Sequence, residues 1–337
     1  MAAIKKIRQL GFQWETQDPF LFCAYHYDTY PKGNAQLGPD ASLAGRNLGM
    51  DFEPNNEGWR MYHGKTVPGF PAHPHRGFET ITIVEEGLAD HSDSLGAAGR
   101  FGNGDVQWMT AGRGVQHSEM FPLLNDKEAN PLLLFQLWLN LPRKSKMVEP
   151  HFKMLWNEDI PVTTFKDDNE KDITVKVITG NYDNITSLDT TPDSWASDPE
   201  NGVAVWIVKL APGAVWNIPT ADATFNRSLY FYEGDALTVE GFEIPKGHSI
   251  DLDASQDVAI TNGDKEGHFL FLQGKPIGEP VAKQGPFVMN TPQEINEAMQ
   301  EYRRTEFGGW PWGSYDHTHD KTRGRFALHA DGREEIK

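Results

Sequence analysis

Four metal-capable side chains stand in two closely spaced pairs in this chain. His73 and His75 are two residues apart, and so are His117 and Glu119. On a β-strand, residues i and i+2 point to the same face of the sheet. Two neighbouring antiparallel strands carrying such pairs would direct three imidazoles and one carboxylate at one point. The spacing therefore predicts a site for a divalent metal ion.

The types of donor atom limit which metal ions this predicted site could bind. Neutral imidazole nitrogen and carboxylate oxygen are ligands for Fe, Mn, Ni, Cu and Zn. Three histidines and one glutamate would fill four of the six positions of an octahedral ion and leave two for water, substrate or dioxygen. The one cysteine, Cys23, makes a cysteine-based structural zinc site unexpected. The alternative, that these histidines are ordinary polar loop residues, is disfavoured by the presence of two pairs in one predicted β-domain.

A second carboxylate, Glu79, leaves the ligand set open. Strict alternation from His73 and His75 would put Glu79 on their face of the strand. It could then compete with Glu119 for the metal, or it could orient a histidine by hydrogen bonding to it from outside the ligand set. Sequence spacing does not decide between the two.

The segments around these residues have the pattern of short strands. Residues 80–84 are almost all β-branched and end at a Glu-Glu-Gly turn, and residues 132–139 are apolar on both faces. Turn signals recur about every 8–12 residues, and no helical period separates them. The sequence therefore predicts an all-β chain built as a sandwich or jelly roll.

The second half of the chain repeats this organisation without the ligands. Residues 229–234 resemble residues 81–87, but the stretch 216–221 stands where a His-x-His pair would lie. His248 and His268 have no partner at metal spacing. We therefore predict one domain that carries chemistry and one metal-free copy.

One helix and a tail complete the predicted organisation. Thr291 and Glu294 form a capping box, and apolar residues follow at helical spacing. We expect the tryptophans after Phe307 to pack on the body of the protein, and His317 and His319 to be exposed to solvent. The predicted domains are listed with their ranges: the metal-binding domain (1–145), the metal-free domain (146–290), and the helix with its Trp-rich tail (291–337).

The overall composition excludes some classes of partner. A net charge of −17 argues against direct nucleic-acid binding, since such proteins show a basic surface. No stretch approaches the roughly 20 apolar residues of a membrane span, and no apolar run follows the first basic residues as in a signal peptide. A single cysteine suits a reducing compartment. We therefore expect a cytoplasmic protein with no membrane or nucleic-acid partner.

Several of these motifs together resemble the pirin family of the cupin superfamily. The motifs are GFPAHPHRGFET (69–80), DHSDSLG (90–96), GDVQWMTAG (104–112), HSEM (117–120), GEPV (278–281) and GPFVMNT (285–291). The resemblance covers roughly residues 20–308. It implies a bicupin with one metal, usually iron as Fe(II), in the N-terminal domain. It also implies the ligands His73, His75, His117 and Glu119, and so favours Glu119 over Glu79. The chain is longer than a typical pirin and has an additional Trp-rich tail.

The resemblance also implies two functions that compete. Some pirins resemble quercetin 2,3-dioxygenases, which open a flavonol ring with dioxygen and release carbon monoxide. In that function Glu119 is the candidate general base. Other pirins are regulatory proteins that act on protein partners, with the redox state of the iron as a switch. A metal-dependent isomerase is a weaker third hypothesis, because no phosphate-cradling loop is evident. The candidate apolar walls of the pocket, each equally compatible with plain core, are Phe70, Phe78, Trp108 and Met120.

Overall fold

The computed structural model describes residues 3–337, which form 27 β-strands, one α-helix and four short 3-10 helices. Met1 and Ala2, the first residues of the segment considered for a signal peptide, lie outside this range. The prediction of an all-β chain with one C-terminal helix is confirmed. In the described part of the chain, no helix is long and apolar enough to cross a membrane.

The strands follow one another with short connections. The first thirteen are β1 (Ile4–Gln9), β2 (Gln13–Trp14), β3 (Phe20–Tyr30), β4 (Gly69–His75), β5 (Phe78–Glu86), β6 (Leu88–Asp93), β7 (Ala98–Gly102), β8 (Val106–Thr110), β9 (Val115–Met120), β10 (Asn130–Asn140), β11 (His151–Leu155), β12 (Val162–Lys166) and β13 (Asp172–Thr179). The next are β14 (Asn181–Tyr182), β15 (Ile185–Thr186), β16 (Ala204–Leu210), β17 (Val215–Ile218), β18 (Asn226–Glu233), β19 (Ala236–Val239), β20 (Phe242–Pro245), β21 (His248–Asp253), β22 (Val258–Asn262), β23 (Gly267–Gly274), β24 (Ala282–Gln284) and β25 (Phe287–Met289). The helix α1 (Pro292–Thr305) precedes the last two strands, β26 (Phe326–Leu328) and β27 (Glu334–Ile336).

The chain divides into two compact units, and neither is one continuous stretch. The histidine unit consists of Ala24–Asn157 and Glu279–Lys337, and the companion unit consists of the residues up to Cys23 and Glu158–Gly278. This division differs from the predicted ranges 1–145, 146–290 and 291–337. The physical reason is strand pairing: β1 pairs with β21, and β26 pairs with β7, across long separations in sequence. The amino-acid composition along the chain does not reveal such pairings between distant strands.

The histidine unit contains two larger antiparallel sheets and the two-stranded sheet β24-β25. One larger sheet has the order β11-β8-β5-β10-β3, and the other has the order β27-β26-β7-β6-β9-β4. In the first sheet, Thr82 of β5 is paired with Gln107 of β8 and with Gln136 of β10. Paired residues share a face of a sheet, so these three side chains lie on one face. Their sequence neighbours Ile81 and Trp108 form the opposite face.

Two glycines allow the turns that flank the histidine strands. Gly77, between β4 and β5, has a φ of 84°, and a Cβ there would lie 2.0 Å from the carbonyl oxygen of Val288. Gly114, just before β9, has a φ of 133°, and a Cβ would lie 2.8 Å from the ring of Phe307. Larger residues would be strained at both positions. These glycines let the chain enter and leave the site through tight turns.

Helix α1 begins as the sequence predicts. The Thr291 hydroxyl accepts a hydrogen bond from the Glu294 backbone, and the Glu294 carboxylate accepts one from the Thr291 backbone. This capping box satisfies two backbone donors of the first turn. The helix buries Ile295 and Ala298 against Phe287.

The tail packs on the histidine unit more tightly than expected. The Trp312 indole donates to the Asp93 carbonyl at 2.9 Å, which agrees with the prediction that the tail tryptophans contact the body. The prediction that His317 and His319 are exposed is wrong. His319 is buried and contacts the His91 carbonyl at 2.9 Å, and His317 is half-buried against Trp312. The sequence around these two histidines does not reveal that β26 pairs with β7, and this pairing places the segment on the histidine unit.

The companion unit has a filled apolar core. Its larger sheet has the order β1-β21-β18-β23-β16-β13-β12, and a second sheet has the order β17-β22-β19-β20. Trp206, Trp216 and Phe271 lie in the centre of this core. Trp216 donates to the Tyr182 hydroxyl at 3.1 Å. Among the described residues, the one cluster of metal-capable histidines belongs to the histidine unit.

Candidate metal centre

Three of the four predicted ligands converge between two adjacent strands. Strand β4 supplies His73 and His75, and β9 supplies His117 directly opposite His73. Their ring centroids are 4.6 to 4.9 Å apart. One nitrogen from each ring lies within 4.8 Å of the other two. These three residues form the histidine triad.

The protonation of the triad suits a metal. Burial lowers the pKa of all three imidazoles, most strongly for His75 and His117, so each ring is neutral near pH 7. Neither nitrogen of His75 or His117 has a hydrogen-bond partner within the protein. Nδ1 of His73 lies 2.9 Å from the Pro71 carbonyl, which can only accept, so Nε2 of the neutral ring carries the lone pair. Buried, unpaired nitrogen donors of this kind fit a divalent metal ion.

Glu119 lies beside the triad rather than inside it. Its Oε2 is 3.7 Å from Nε2 of His117, but the carboxylate is not among the ligand atoms within 4.8 Å of one another. Oε1 accepts from the Thr82 hydroxyl at 3.0 Å, and Oε2 accepts from the Gln136 amide at 2.6 Å. The two-residue spacing predicted that the three imidazoles and the carboxylate would meet at one point. The structure brings three histidines together and holds the carboxylate at their edge.

Glu79 lies on a different face from the triad. Its carboxylate accepts from the Thr110 hydroxyl at 2.7 Å, and it is paired with that residue across β5 and β8. Alternation along β5 puts Glu79 opposite Thr82, whose side chain contacts Glu119. The expectation of a shared face with His73 and His75 is therefore incorrect. The chain turns at Gly77 between β4 and β5, which belong to different sheets, so alternation does not continue across the turn.

Two of the predicted pocket residues adjoin the triad. The ring of Phe78 is 5.0 Å from His75, and the half-buried ring of Phe70 is 6.3 Å from His73. Phe70 also contacts the rings of Phe52 and His63, at 6.2 and 5.7 Å. Phe70 therefore provides partly exposed aromatic surface beside the metal ligands, whereas Phe78 is fully buried against His75.

The other two predicted pocket residues face away. Trp108 is paired with Ile81, on the face of β5 and β8 opposite Thr82. Met120 alternates with Glu119 on β9 and packs against Leu37 and Val67. Both are core residues, because strand alternation directs them away from the site.

Three neighbours of the site were not identified from the sequence. Trp138 stacks on Phe78 with centroids 4.0 Å apart and meets the edge of His75 at 5.2 Å. Thr82 and Gln136 bind the Glu119 carboxylate, as described above. One sequence signal was available: Gln136 is the one polar residue in the apolar run 132–139, and a polar residue in a buried strand needs a partner.

Comparison with known families gives a consistent result over both halves of the chain. The family model described as Pirin matches residues 4–139, and the model described as Pirin C-terminal cupin domain matches residues 205–308. The pirin-like protein of Solanum lycopersicum is 34% identical over 276 residues, which cover 80% of this chain and 88% of that protein. The pirin of Homo sapiens is 36% identical over 257 residues, which cover 73% and 80% of the two chains.

A solved structure extends the comparison to the fold. The crystal structure of quercetin 2,3-dioxygenase from Acinetobacter baumannii has a TM-score of 0.70 and a sequence identity of 28%. The match covers 92% of this chain and 99% of that one. The similarity therefore extends well beyond the histidine motifs.

Proposed function

The chain belongs to the pirin family of bicupins, and from that premise we propose that it is a metal-dependent dioxygenase that cleaves a flavonol or a similar enolisable aromatic. The reaction would consume dioxygen at one Fe(II)-type centre and release carbon monoxide. The observation that carries the proposal is the histidine triad, with its three neutral rings, of which His75 and His117 are buried and His73 is half-buried. The similarity to a quercetin 2,3-dioxygenase supports the choice of substrate class.

The triad would hold one divalent metal, and Glu119 would be the fourth ligand or a base beside it. When bound, such an ion supplies Lewis acidity and redox chemistry with dioxygen. Fe(II) is the first choice, and Mn, Ni, Cu and Zn also suit this donor set. The protein keeps the three rings neutral by burial, so their lone pairs are available for binding.

Glu119 would remove the proton that the reaction requires. A flavonol must lose its enolic proton before its ring carbon reacts readily with dioxygen. In this step the substrate O–H bond breaks, its electron pair stays on the substrate oxygen, and the proton passes to a carboxylate oxygen of Glu119. The buried carboxylate lies 3.7 Å from His117, so a substrate oxygen beside the triad would be within reach.

The half-buried Phe70 would contact the substrate rings, whereas the buried Phe78 and Trp138 would support His75. Phe70 is half-buried beside His73, and Phe78 and Trp138 stack beside His75. Flat aromatic groups favour stacked or edge-to-face contacts with such rings. The negative net charge is compatible with a neutral small molecule or a protein partner and disfavours nucleic acid.

The test is oxygen consumption by Fe(II)-loaded protein with quercetin as substrate. We expect metal-dependent uptake with release of carbon monoxide, and loss of both in His75→Ala. His268→Ala is the matched control, because His268 lies in the companion unit. Parallel loading with Mn, Ni, Cu or Zn would identify the active ion.

A protein that holds one metal per chain and turns over no flavonol would contradict the proposal. A redox-sensitive regulatory function through a protein partner would then become the leading hypothesis. Affinity capture with the Fe(II) and Fe(III) forms would test that function, because a redox switch should bind its partner in one state and not the other.

A further inference from the structure

A lysine lies at the edge of the aromatic group that supports His75. Nζ of Lys283 is 5.2 Å from the centre of the Trp138 ring, and the Trp138 ring is 5.2 Å from His75. We propose that Lys283 binds a negatively charged substituent of the substrate, so that the preferred substrate is an anionic aromatic, such as a flavonol with a carboxylate on the ring remote from its enol. The inference rests on the proposed function, because it takes the triad as the place where the aromatic substrate binds.

A hairpin carries Lys283 to this position. Strands β24 and β25 are antiparallel, and Lys283 is paired with Val288. The Val288 amide donates to the carbonyl of Arg76, the residue that follows His75, at 3.0 Å. Between the two strands, the Pro286 carbonyl lies beside the His75 ring. The hairpin is therefore anchored at the end of β4, and it holds Lys283 near the triad.

Two other basic residues near this hairpin have partners within the protein. Lys146 is buried, and its ammonium donates three hydrogen bonds to protein oxygens, which uses all of its donors. Arg76 is also buried and pairs with the Glu301 carboxylate at 2.7 Å. Lys283 differs from both, because its side chain is exposed and its Nζ lies over an aromatic ring. Of these three cations, Lys283 is the one placed to meet a ligand from solvent.

Partial exposure marks the entrance to the site. On β4, Phe70 and His73 are half-buried, and on β10, Gln136 is half-buried. The Trp138 indole donates to Oε1 of Gln136 at 3.4 Å, and Lys283 lies over that same indole. A substrate that reaches the triad between β4 and β10 therefore passes beside Lys283.

An ammonium over an indole ring suits an anion attached to an aromatic group. The cation is attracted to the ring face, and the stem of the lysine provides apolar surface. Partial burial lowers the pKa of the Lys283 ammonium, and a bound anion would offset this effect. A flat ring with an acidic substituent could contact Phe70 with the ring and Nζ of Lys283 with the charge.

A matched pair of ligands tests the inference without turnover. One is a flavonol with a carboxylate on the ring remote from its enol, and the other is the methyl ester of the same compound. Zn(II)-loaded protein binds them without oxidising them, because Zn(II) has no redox chemistry, and calorimetry gives each Kd. We expect the wild type to bind the carboxylate at least about fivefold more tightly than the ester at low salt. This preference should shrink at about 500 mM salt, because salt screens the charges.

Four variants separate the charge of Lys283 from other effects. Lys283→Met keeps a side chain of similar length without the charge, and the preference for the carboxylate should be lost. Lys283→Arg keeps a cation that binds ring faces and should retain the preference. Lys209→Met is the matched control, because Lys209 is an exposed lysine of the companion unit and its loss changes the net charge equally. If Lys283→Met does not fold, Lys283→Gln removes the same charge.

The outcomes separate the inference from the proposed function. A wild type without the preference, or an equal preference in Lys283→Met, would overturn the role of Lys283. Loss of the preference in Lys283→Arg or in Lys209→Met would overturn it as well, because pairing with this one ammonium predicts neither. A wild type that prefers the carboxylate through Lys283 but consumes no oxygen when loaded with Fe(II) retains the inference and refutes the proposed reaction. A wild type that oxidises quercetin without preferring the carboxylate retains the reaction and refutes the inference.

Discussion

The histidine triad should cost stability when no metal is bound, and replacement of one histidine should reveal that cost. His75 is almost completely buried, and neither ring nitrogen has a hydrogen-bond partner within the protein. The Pro286 carbonyl lies beside the ring without completing a hydrogen bond. In His75→Leu, a side chain of similar size replaces the ring and removes both polar atoms.

The expected magnitude follows from two opposing terms. A buried polar group without a partner costs about 1–3 kcal/mol, and the ring carries two such atoms. Against this, a swap of similar volume costs up to about 1.5 kcal/mol through lost ring contacts with Phe78 and Trp138. The two atoms together cost about 2–6 kcal/mol, so we expect the free energy of unfolding of metal-free His75→Leu to exceed that of the metal-free wild type by at least about 0.5 kcal/mol.

Metal should reduce or reverse this difference. At a free metal concentration of one hundred times Kd, binding stabilises the wild type by about 2.7 kcal/mol, and the variant should gain much less. The assay is urea unfolding followed by tryptophan fluorescence, with and without metal. His268→Leu in the companion unit is the control. A metal-free wild type as stable as His75→Leu would refute the reasoning, since the nitrogens would then carry no penalty.

Three further predictions concern other parts of the histidine unit. Burial lowers the pKa of His26 from 6.5 to about 3, so below pH 6.5 the unfolded chain binds a proton that the folded chain does not, and stability falls as the pH falls. In urea unfolding from pH 7 to 4, His26→Phe should therefore lose less stability per pH unit than the wild type, and an equal slope would contradict this. Phe70→Ala should raise KM for a flavonol several-fold with a smaller effect on kcat, because Phe70 is half-buried beside His73. Steady-state oxygen uptake measures both constants. An unchanged KM would exclude Phe70 from the substrate site. Arg100→Leu should destabilise the protein by about 3–5 kcal/mol, because the buried Asp90 carboxylate would lose its charged partner. It should also make the tail susceptible to proteases, because the hydrogen bonds from Arg100 to the tail would be lost. Unchanged urea unfolding and proteolysis would count against this.

The elements of this fold that rest on local patterns were predictable from the sequence. The β-branched residues 80–84 form the centre of β5, and the capping box at Thr291 begins α1. The His73 and His75 pair and His117 meet because their pairing obeys strand alternation within β4 and β9. Each of these signals is local to one strand or one helix start, although the meeting of His73 and His117 also requires β4 to pair with β9.

The features that sequence reasoning missed depend on pairings between distant segments. Glu79 was assigned to the wrong face because a turn separates it from His75, and alternation is a property of one strand. Trp138 and Gln136 reach the site only because β10 is paired with β5. Trp108 and Met120 have the right chemistry for a pocket, but their position in the alternation directs them into the core.

The discontinuity of the histidine unit has a consequence for the order of events during synthesis. The strands that carry the triad leave the ribosome early, but Glu279–Lys337 completes the same compact unit only after the whole stretch Glu158–Gly278 has been made. Gly77 and Gly114, the two turns beside the triad, pack against Val288 and Phe307 from that late segment. The nascent triad therefore lacks part of its support until translation is nearly finished. Loading of the metal should follow release of the chain, and a ribosome-bound chain that ends at residue 157 should bind Fe(II) poorly.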